Sequence, residues 1–302
     1  MPLVYVILVN YNNYSDTIEC IESLLDINYN NFRILVIDNF SSNNSVEVLK
    51  ERFDNIKIVK NKSNDGFAKA NNIGINIALK EKAEYVVLLN NDTIVDKNFL
   101  IELVSFSKEI GDESLLTSRI YYNDEKDLLW YDGGEVDWNR FLGVHTNKGK
   151  KSSLKKEIRE VSFASGCCMF IPKKLLESVG GLPEDYFMYF EDLDYCINLS
   201  KKGYKIYYNN QSIIYHKVSA SSKNISNFTI KWGNRNRIIL INKYSKEFKR
   251  LKILKIKLIF YLSRLAVILK YILSGKFSAV NSLIIGITDG IKYSKNNYLK
   301  SK

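Results

Sequence analysis

The chain has 302 residues, 46% of them hydrophobic, with 44 Lys or Arg against 33 Asp or Glu for a formal charge of +11. That length and apolar content describe a globular protein with one substantial core, alone or with an appendage. Its four cysteines (Cys20, Cys167, Cys168, Cys196) lack CxxC spacing, which argues against a zinc site or a disulfide framework and suits a reducing cytosol.

The opening run Met1–Val9 is apolar but has no basic n-region. Asn10-Tyr-Asn-Asn stands where a small-residue cleavage site would be expected, so Leu3–Val9 reads as a first strand and not as a signal peptide. Ser15/Asp16 with Glu19 opens a helix whose apolar face is Ile18, Ile21, Leu24 and Leu25. Phe32–Ile37 is the next strand, ending at Asp38-Asn39 before a Ser/Asn turn and a helix over Val46–Phe53. Ile56 and Ile58 mark a short third strand, Asn64-Asp-Gly66 a turn, and Phe67–Lys82 a helix. Val86–Leu89 has no polar alternation, which suggests a strand buried on both faces, as in a parallel sheet. It stops at Asn90, Asn91 and Asp92. A carboxylate beyond the carboxyl end of such a strand suits a metal or a ligand hydroxyl; the same residues would equally cap a helix over Asp96–Lys108. The repeated βα pattern demands a mainly parallel sheet with helices on both faces.

No glycine-rich dinucleotide fingerprint and no GxxxxGK[ST] loop follows these strands, so a nucleotide would be held by side chains and, at its diphosphate, by a metal. Asp38, which only accepts hydrogen bonds, could take the N3–H of uracil or thymine, whereas cytosine has no proton there.

The strings Val6-Ile-Leu-Val-Asn10-Tyr-Asn-Asn13, Val36-Ile-Asp38-Asn-Phe-Ser-Ser-Asn-Asn-Ser45, Asn64-Asp-Gly66-Phe-Ala-Lys-Ala-Asn71-Asn-Ile-Gly74, Leu88-Leu-Asn90-Asn-Asp92 and Phe187-Met-Tyr-Phe-Glu191-Asp192-Leu-Asp194 resemble, in order, the motifs of family 2 glycosyltransferases. The resemblance is to the bacterial rhamnosyltransferase-like branch and runs from residue 3 to about residue 240. It implies an α/β chain with the GT-A nucleotide-diphospho-sugar transferase fold and metal-dependent transfer with inversion, using Mn²⁺ or Mg²⁺. Carried across by position, it places Asn10, Tyr11, Asp38, Gly66, Asn71, Asn90 and Asn91 at the nucleotide and Asp92 on the metal, joined by His216. Asn90 stands where the family's DxD has its first Asp, and an amide adds no negative charge to a cation site. Gly66 and Gly74 would also serve ordinary turn and packing roles.

Beyond Asp92, Leu115–Tyr122 and Trp130–Trp138 read as strands, with a bend at Asp132-Gly-Gly134. Lys148–Glu160 reads as a mobile charged loop. Ser162–Ile171 resumes strand character, with small residues that would let a sugar approach the backbone. The carboxylates of Glu184–Asp194, which follow and flank Phe187, Tyr189 and Phe190, would cap a helix over Leu193–Lys201 or supply a general base whose pKa is raised in a partly apolar cleft. By resemblance Asp192 is that base, Glu191 positions the acceptor and Asp194 is structural. His145 has no such context.

From Lys231 onward there are 17 Lys or Arg against Glu247 and Asp289, a net of +15, which leaves −4 to residues 1–230. The chemistry is therefore expected in a GT-A domain over 1–226, and attachment in a basic helical extension over 227–302. In Leu251–Leu273 lysines and arginines interrupt every aliphatic run, so no membrane span is expected. The helix suits the surface of an anionic membrane, or packing on the core with a solvated lysine face. The expected activity moves a sugar from a UDP- or dTDP-sugar to a hydroxyl of a glycan or polyprenyl-diphosphate-linked acceptor, in bacterial surface polysaccharide synthesis at the cytoplasmic face of the membrane. Alternatives are a sugar-phosphate nucleotidyltransferase or a non-catalytic binding module. No nucleic-acid signature accompanies the basic tail.

Overall fold

A computed structural model describes residues 1–152, 155–218 and 226–299. By internal contacts the chain forms two compact units, one of Met1–Glu135, Gly143–Phe187 and Glu191–Ser219, the other of Val136–Leu142, Met188–Phe190 and Ala220–Lys302.

The first unit begins with β1 (Val4–Asn10), α1 (Tyr14–Leu25), β2 (Phe32–Asp38), α2 (Ser45–Arg52), β3 (Lys57–Lys60), α3 (Gly66–Lys80) and β4 (Tyr85–Asn90). β3, β2, β1 and β4 lie side by side and parallel. Their unbroken aliphatic runs are buried because helices supply apolar surface on the faces of the sheet. α1 buries Thr17, Cys20, Ile21 and Leu24, while Leu25, expected on its apolar face, is exposed. Thr17 and Cys20 are small enough to fill that face closer to the sheet.

After β4 come β5 (Thr93–Val95), α4 (Phe99–Glu109), β6 (Leu115–Tyr122), β7 (Leu129–Tyr131), β8 (Gly134–Asp137), β9 (Leu142–His145), β10 (Ile158–Glu160), β11 (Cys168–Pro172), α5 (Lys173–Val179), α6 (Glu191–Lys201) and β12 (Ile206–His216). β11 enters the sheet antiparallel between β4 and β6, and β12 runs parallel to β6. Three sequence readings are refined. The expected strand Trp130–Trp138 is split into β7 and β8 at the expected bend, where Gly133, with φ of +81°, takes a conformation that glycine adopts without strain. The charged stretch Lys148–Glu160 ends in β10, which pairs antiparallel with β12; residues 153–154 of that stretch lie outside the described part. The strand expected over Ser162–Ile171 is confined to β11, because the smaller residues before it form a turn.

In the second unit, α7 (Asn227–Lys243), α8 (Arg250–Leu273) and α9 (Phe277–Asn297) are long helices. Ser226 caps α7, its Oγ accepting the Thr229 N–H at 3.1 Å. Gly286 and Gly290 let α9 lie backbone to backbone on α7, since a Cβ at either would overlap the carbonyl of Lys231 or Arg235. α8 buries Ile253, Ile256 and Phe260 but leaves Leu251, Leu254, Leu258, Leu262, Leu265 and Leu269 mostly exposed. Among the described residues, no helix is long and apolar enough to cross a membrane.

Candidate active site

Strand register sets the site. Asn10 of β1 lies opposite Asp38 of β2, and Asn90 of β4 opposite Val9, so three parallel strands end at nearly one level with their polar residues at the carboxyl edge. Immediately after Asp92, β5 pairs with the end of β12, Thr93 opposite His216. That pairing brings His216 Nε2 to 3.1 Å from Asp92 Oδ1. Asp92 is therefore not a helix cap, because β5 separates it from α4. Burial opposes ionisation of Asp92, but the hydrogen bond and charge of His216, with Lys217 nearby, hold its carboxyl below the ordinary value. Lys217, which the sequence reading passed over, donates its N–H to the Asp92 carbonyl at 2.9 Å and pairs with Asp16 at 2.7 Å and Glu19 at 2.8 Å. Trp130 sits edge-to-face against His216 with centroids 4.6 Å apart, and also against His145 at 4.5 Å. Burial holds His145 neutral, its pKa pushed down to about 4.

The donor chemistry here fits a hard divalent cation, with one carboxylate and one imidazole already together. Among the described residues no third His, Cys, Asp or Glu completes a cluster, so further coordination would come from substrate oxygens and water.

The expected nucleotide residues divide into two groups. Asn10 and Asp38 are brought together but fully buried: Asn10 Nδ2 donates to Asp38 Oδ2 at 2.8 Å and to Ser41 Oγ at 3.2 Å, while Asp38 Oδ1 accepts the Ser41 N–H at 3.0 Å. Asn71 is also buried, its amide donating to the Phe67 carbonyl one turn back, and Asn91 donates to Thr17 Oγ1 at 2.8 Å. In this conformation these side chains shape the edge rather than offer free atoms to a ligand. Tyr11 and Phe40, in the loops after β1 and β2, are about half exposed. Asn39 is the polar hub of the edge and was not singled out from sequence: its amide N donates to Asn64 Oδ1 and the Gly66 carbonyl, and its oxygen accepts from Asn61 Nδ2 and the Asp65 N–H. Its position directly after Asp38 was the available signal.

Gly66, with φ of +83°, leaves no room for a side chain, since a Cβ would overlap the Phe187 carbonyl. That carbonyl accepts the Phe67 N–H at 2.8 Å, joining the start of α3 to the segment that leads into α6. In α6, Asp192 Oδ2 accepts the Gly166 N–H at 2.9 Å and Oδ1 the Leu193 N–H at 2.8 Å. Burial raises the pKa of Asp192 even though these bonds favour its anion. Glu191 is only 4% exposed and its Oε2 has no partner among the described residues. Burial and then the Asp192 charge push its carboxyl far above the usual range. Glu191 is thus a neutral acid beside an ionisable one, with little surface for direct contact with an acceptor.

Comparison with known proteins agrees with this architecture. The sequence profile described as "Glycosyl transferase family 2" matches residues 5–180. The chain is 28% identical over 203 residues to the low-salt glycan biosynthesis hexosyltransferase Agl10 of Haloferax volcanii, covering 67% of this chain and 62% of that protein. It is 25% identical over 219 residues to the rhamnosyltransferase WbbL of Escherichia coli, covering 68% of this chain and 80% of that one. The chain thus spans less than two thirds of the length of Agl10. A crystal structure of GalNAc-T7 with UDP, GalNAc and Mn²⁺ superposes with a TM-score of 0.68 at 17% identity, covering 99% of this chain and 58% of that one. The fold is GT-A, a mostly parallel central sheet with helices, followed by C-terminal helices.

Gly66→Ala tests the close approach. The new methyl would meet the Phe187 carbonyl and force a positive φ, so stability should fall by about 2–4 kcal/mol, a typical range for overpacking combined with backbone strain. Thermal unfolding checks this, and an unchanged Tm would remove the contact from its role.

Proposed function

The chain belongs to glycosyl transferase family 2, and from that membership we propose that it transfers a sugar, with inversion, from a UDP- or dTDP-sugar to a hydroxyl of a glycan or polyprenyl-diphosphate-linked acceptor. The observation that carries the reading is the Asp92–His216 pair at the carboxyl edge of the parallel strands. The exposed rings of Tyr11 and Phe40 would flank the base, and the Asp38–Asn10–Ser41 bonds would hold their loops in place. Base reading by Asp38 itself would require that loop to shift. Asp192 is the general base. It takes the proton of the acceptor hydroxyl as that oxygen attacks the anomeric carbon from the face opposite the departing diphosphate, so one carboxylate suffices and the configuration inverts. A Mn²⁺ or Mg²⁺ held by Asp92 and His216 would neutralise the charge developing on that diphosphate. Because Glu191 is buried and neutral, it acts on Asp192 as an uncharged neighbour. The sequence-based role of holding the acceptor would need a rearrangement that exposes it.

A sugar-phosphate nucleotidyltransferase would require a glycine-rich basic loop after β1, where Asn10–Tyr14 stands. A binding module alone would have no use for a carboxylate whose raised pKa readies it to take a proton, as at Asp192. We place the enzyme at the cytoplasmic face of the membrane. α8 bears exposed leucines, six Lys or Arg and no acidic residue, the two components of interfacial binding to an anionic bilayer.

Asp192→Asn should lower kcat by about 10²–10⁴-fold with donor KM little changed, whereas Glu191→Gln, which mimics a neutral acid, should stay within a few-fold of wild type. A raised Asp192 pKa means that activity is lost as pH falls through a value above the ordinary carboxylate range, and steady-state pH profiles would show that acid limb. An acid limb near pH 4 would contradict the assignment.

Asp92→Asn should abolish transfer and weaken UDP binding chiefly when Mn²⁺ is present, and His216→Ala should give a smaller loss of the same kind. Calorimetry with and without metal separates the cases; full activity in excess chelator would remove the metal from the reading.

The chain should sediment with vesicles containing phosphatidylserine at low salt, and Leu258→Glu/Leu265→Glu should abolish this while donor hydrolysis persists. Binding that ignores salt, or survives both substitutions, would place the leucine face elsewhere.

A further inference from the structure

His216 Nε2 faces Asp92 Oδ1, but its other ring nitrogen, Nδ1, is buried and has no hydrogen-bond partner among the described residues. An imidazole that holds a metal ordinarily donates from its second nitrogen to a carbonyl or carboxylate, and that bond sets the angle of the ring. Once Asp92 and His216 both ligate one ion, the bond between them is gone as well, and the torsion about Cβ–Cγ of an imidazole is broad by itself. Another contact must hold the ring. Trp130 is placed to do so: its ring meets that of His216 at 86° with centroids 4.6 Å apart, an edge-to-face contact. His145 meets the same indole at 71° and 4.5 Å, and its Nδ1 lies 3.0 Å from the Trp130 carbonyl. A carbonyl only accepts, so that nitrogen carries the hydrogen, and His145 holds both the main chain and the ring of Trp130. Tyr131 pairs with Ile120 of β6 and donates its hydroxyl to the Phe163 carbonyl at 2.6 Å, which ties down the strand that carries the indole. β6 also pairs with β12, Tyr122 opposite His216, so the strands bearing the two rings share one neighbour. All of these residues belong to the first unit.

We propose that Trp130 is a positioning residue for the metal ligand His216: its edge-to-face contact sets the angle of the imidazole, in place of the hydrogen bond that Nδ1 lacks, and His145 holds Trp130 at that angle. The proposal rests on the reading of Asp92 and His216 as the metal site. Nothing in it requires Trp130 to touch either substrate. Ring packing constrains direction without adding charge. At this edge Asn90 adds no negative charge, so affinity for a cation depends on how well the carboxylate and the imidazole are aimed. Loss of a group that orients a metal-binding imidazole lowers metal affinity about 10–100-fold.

Trp130→Leu keeps apolar bulk and removes the ring, whereas Trp130→Phe keeps a ring. The measurement is Mn²⁺ binding to the full chain with saturating UDP, read from the electron paramagnetic resonance signal of the free ion, beside UDP binding without metal. Trp130→Leu should weaken Mn²⁺ binding about 10–100-fold and leave metal-free UDP binding within about twofold, and Trp130→Phe should stay within about threefold of wild type. Added to His216→Ala, Trp130→Leu should cost nothing further, because a residue that acts only through His216 has no effect in its absence. Equal losses with and without His216 would mean a role confined to stability and would overturn the proposal. Wild-type Mn²⁺ affinity in Trp130→Leu, beside losses in Asp92→Asn and His216→Ala, would overturn the positioning role alone. A wild type that binds no Mn²⁺, or Asp92→Asn and His216→Ala that bind it as wild type does, would overturn the metal site and the proposal with it. A crystal structure of the wild type with Mn²⁺ and UDP needs no variant to fold: Trp130 in the same edge-to-face contact, with Nδ1 unbonded, supports the proposal, and a carbonyl, carboxylate or ordered water on Nδ1 refutes it.

Discussion

The contact on which the site depends is the approach of the Gly66 backbone to the carbonyl of Phe187. It allows the start of α3 to donate to the same carbonyl, so the loop between β3 and α3 and the segment entering α6 share one anchoring atom. A side chain at position 66 would separate them. Asn39 strengthens this by holding the Gly66 carbonyl and the Asn64 side chain from the end of β2, so a polar hub just beyond the parallel strands reaches, in two steps, the backbone that carries Asp192. Backbone hydrogen bonds made in a buried setting are hard to break without leaving an unsatisfied group, which gives this chain of contacts its stiffness.

The two carboxylates of α6 show how environment divides similar groups. Adjacent burial of two negative charges would be unfavourable, and two backbone N–H groups, of Gly166 and Leu193, are aimed at Asp192, whereas Glu191 Oε2 has no partner among the described residues. The anion is therefore concentrated on Asp192 and the proton on Glu191, an ordering that sequence cannot express because Glu-Asp at a helix start is equally good as a cap. Asp192 remains partly exposed while Glu191 does not, so charge and access favour the same residue.

What sequence revealed, and what it missed, follows from the range of the forces involved. β1, β2 and β4 were legible because burial on both faces leaves an unbroken aliphatic run, and α3 because its turn residues and its periodicity agree. The grouping of Asp92 with His216 came from family resemblance and not from pattern, since 124 residues separate them and the pairing of β5 with β12 joins them. β5 has three residues and no periodicity to detect, so the helix expected from Asp96 begins only at Phe99, and the pattern alone leaves the capping alternative open. β10 hid in a lysine-rich stretch because an edge strand needs only backbone pairing. The burial of Asn10, Asp38 and Asn71 was invisible because Asn and Asp read as surface or ligand residues unless their partners, here Ser41, Thr17 and the Phe67 carbonyl, are known.

In the second unit, the small residues of α9 and the leucines of α8 imply different partners. Gly286 and Gly290 remove the side chains that would keep α9 away from α7, and the fit is backbone against backbone. α8 has no such device. Leu251, Leu258 and Leu265 recur every seven residues on an exposed face, a spacing that in a helix with mixed charges would suit a second copy of itself. Here that reading fails on charge, because α8 carries Lys or Arg at 250, 252, 255, 257, 264 and 270 and no Asp or Glu, so two copies would bring like charges together along the whole seam. An anionic lipid surface removes that repulsion, contributing about 1 kcal/mol for each basic residue near it and about 1.5–3 kcal/mol for each leucine fully taken out of water. The stripe and the charge then both support the proposed membrane-surface role of α8 over pairing with a second copy of itself.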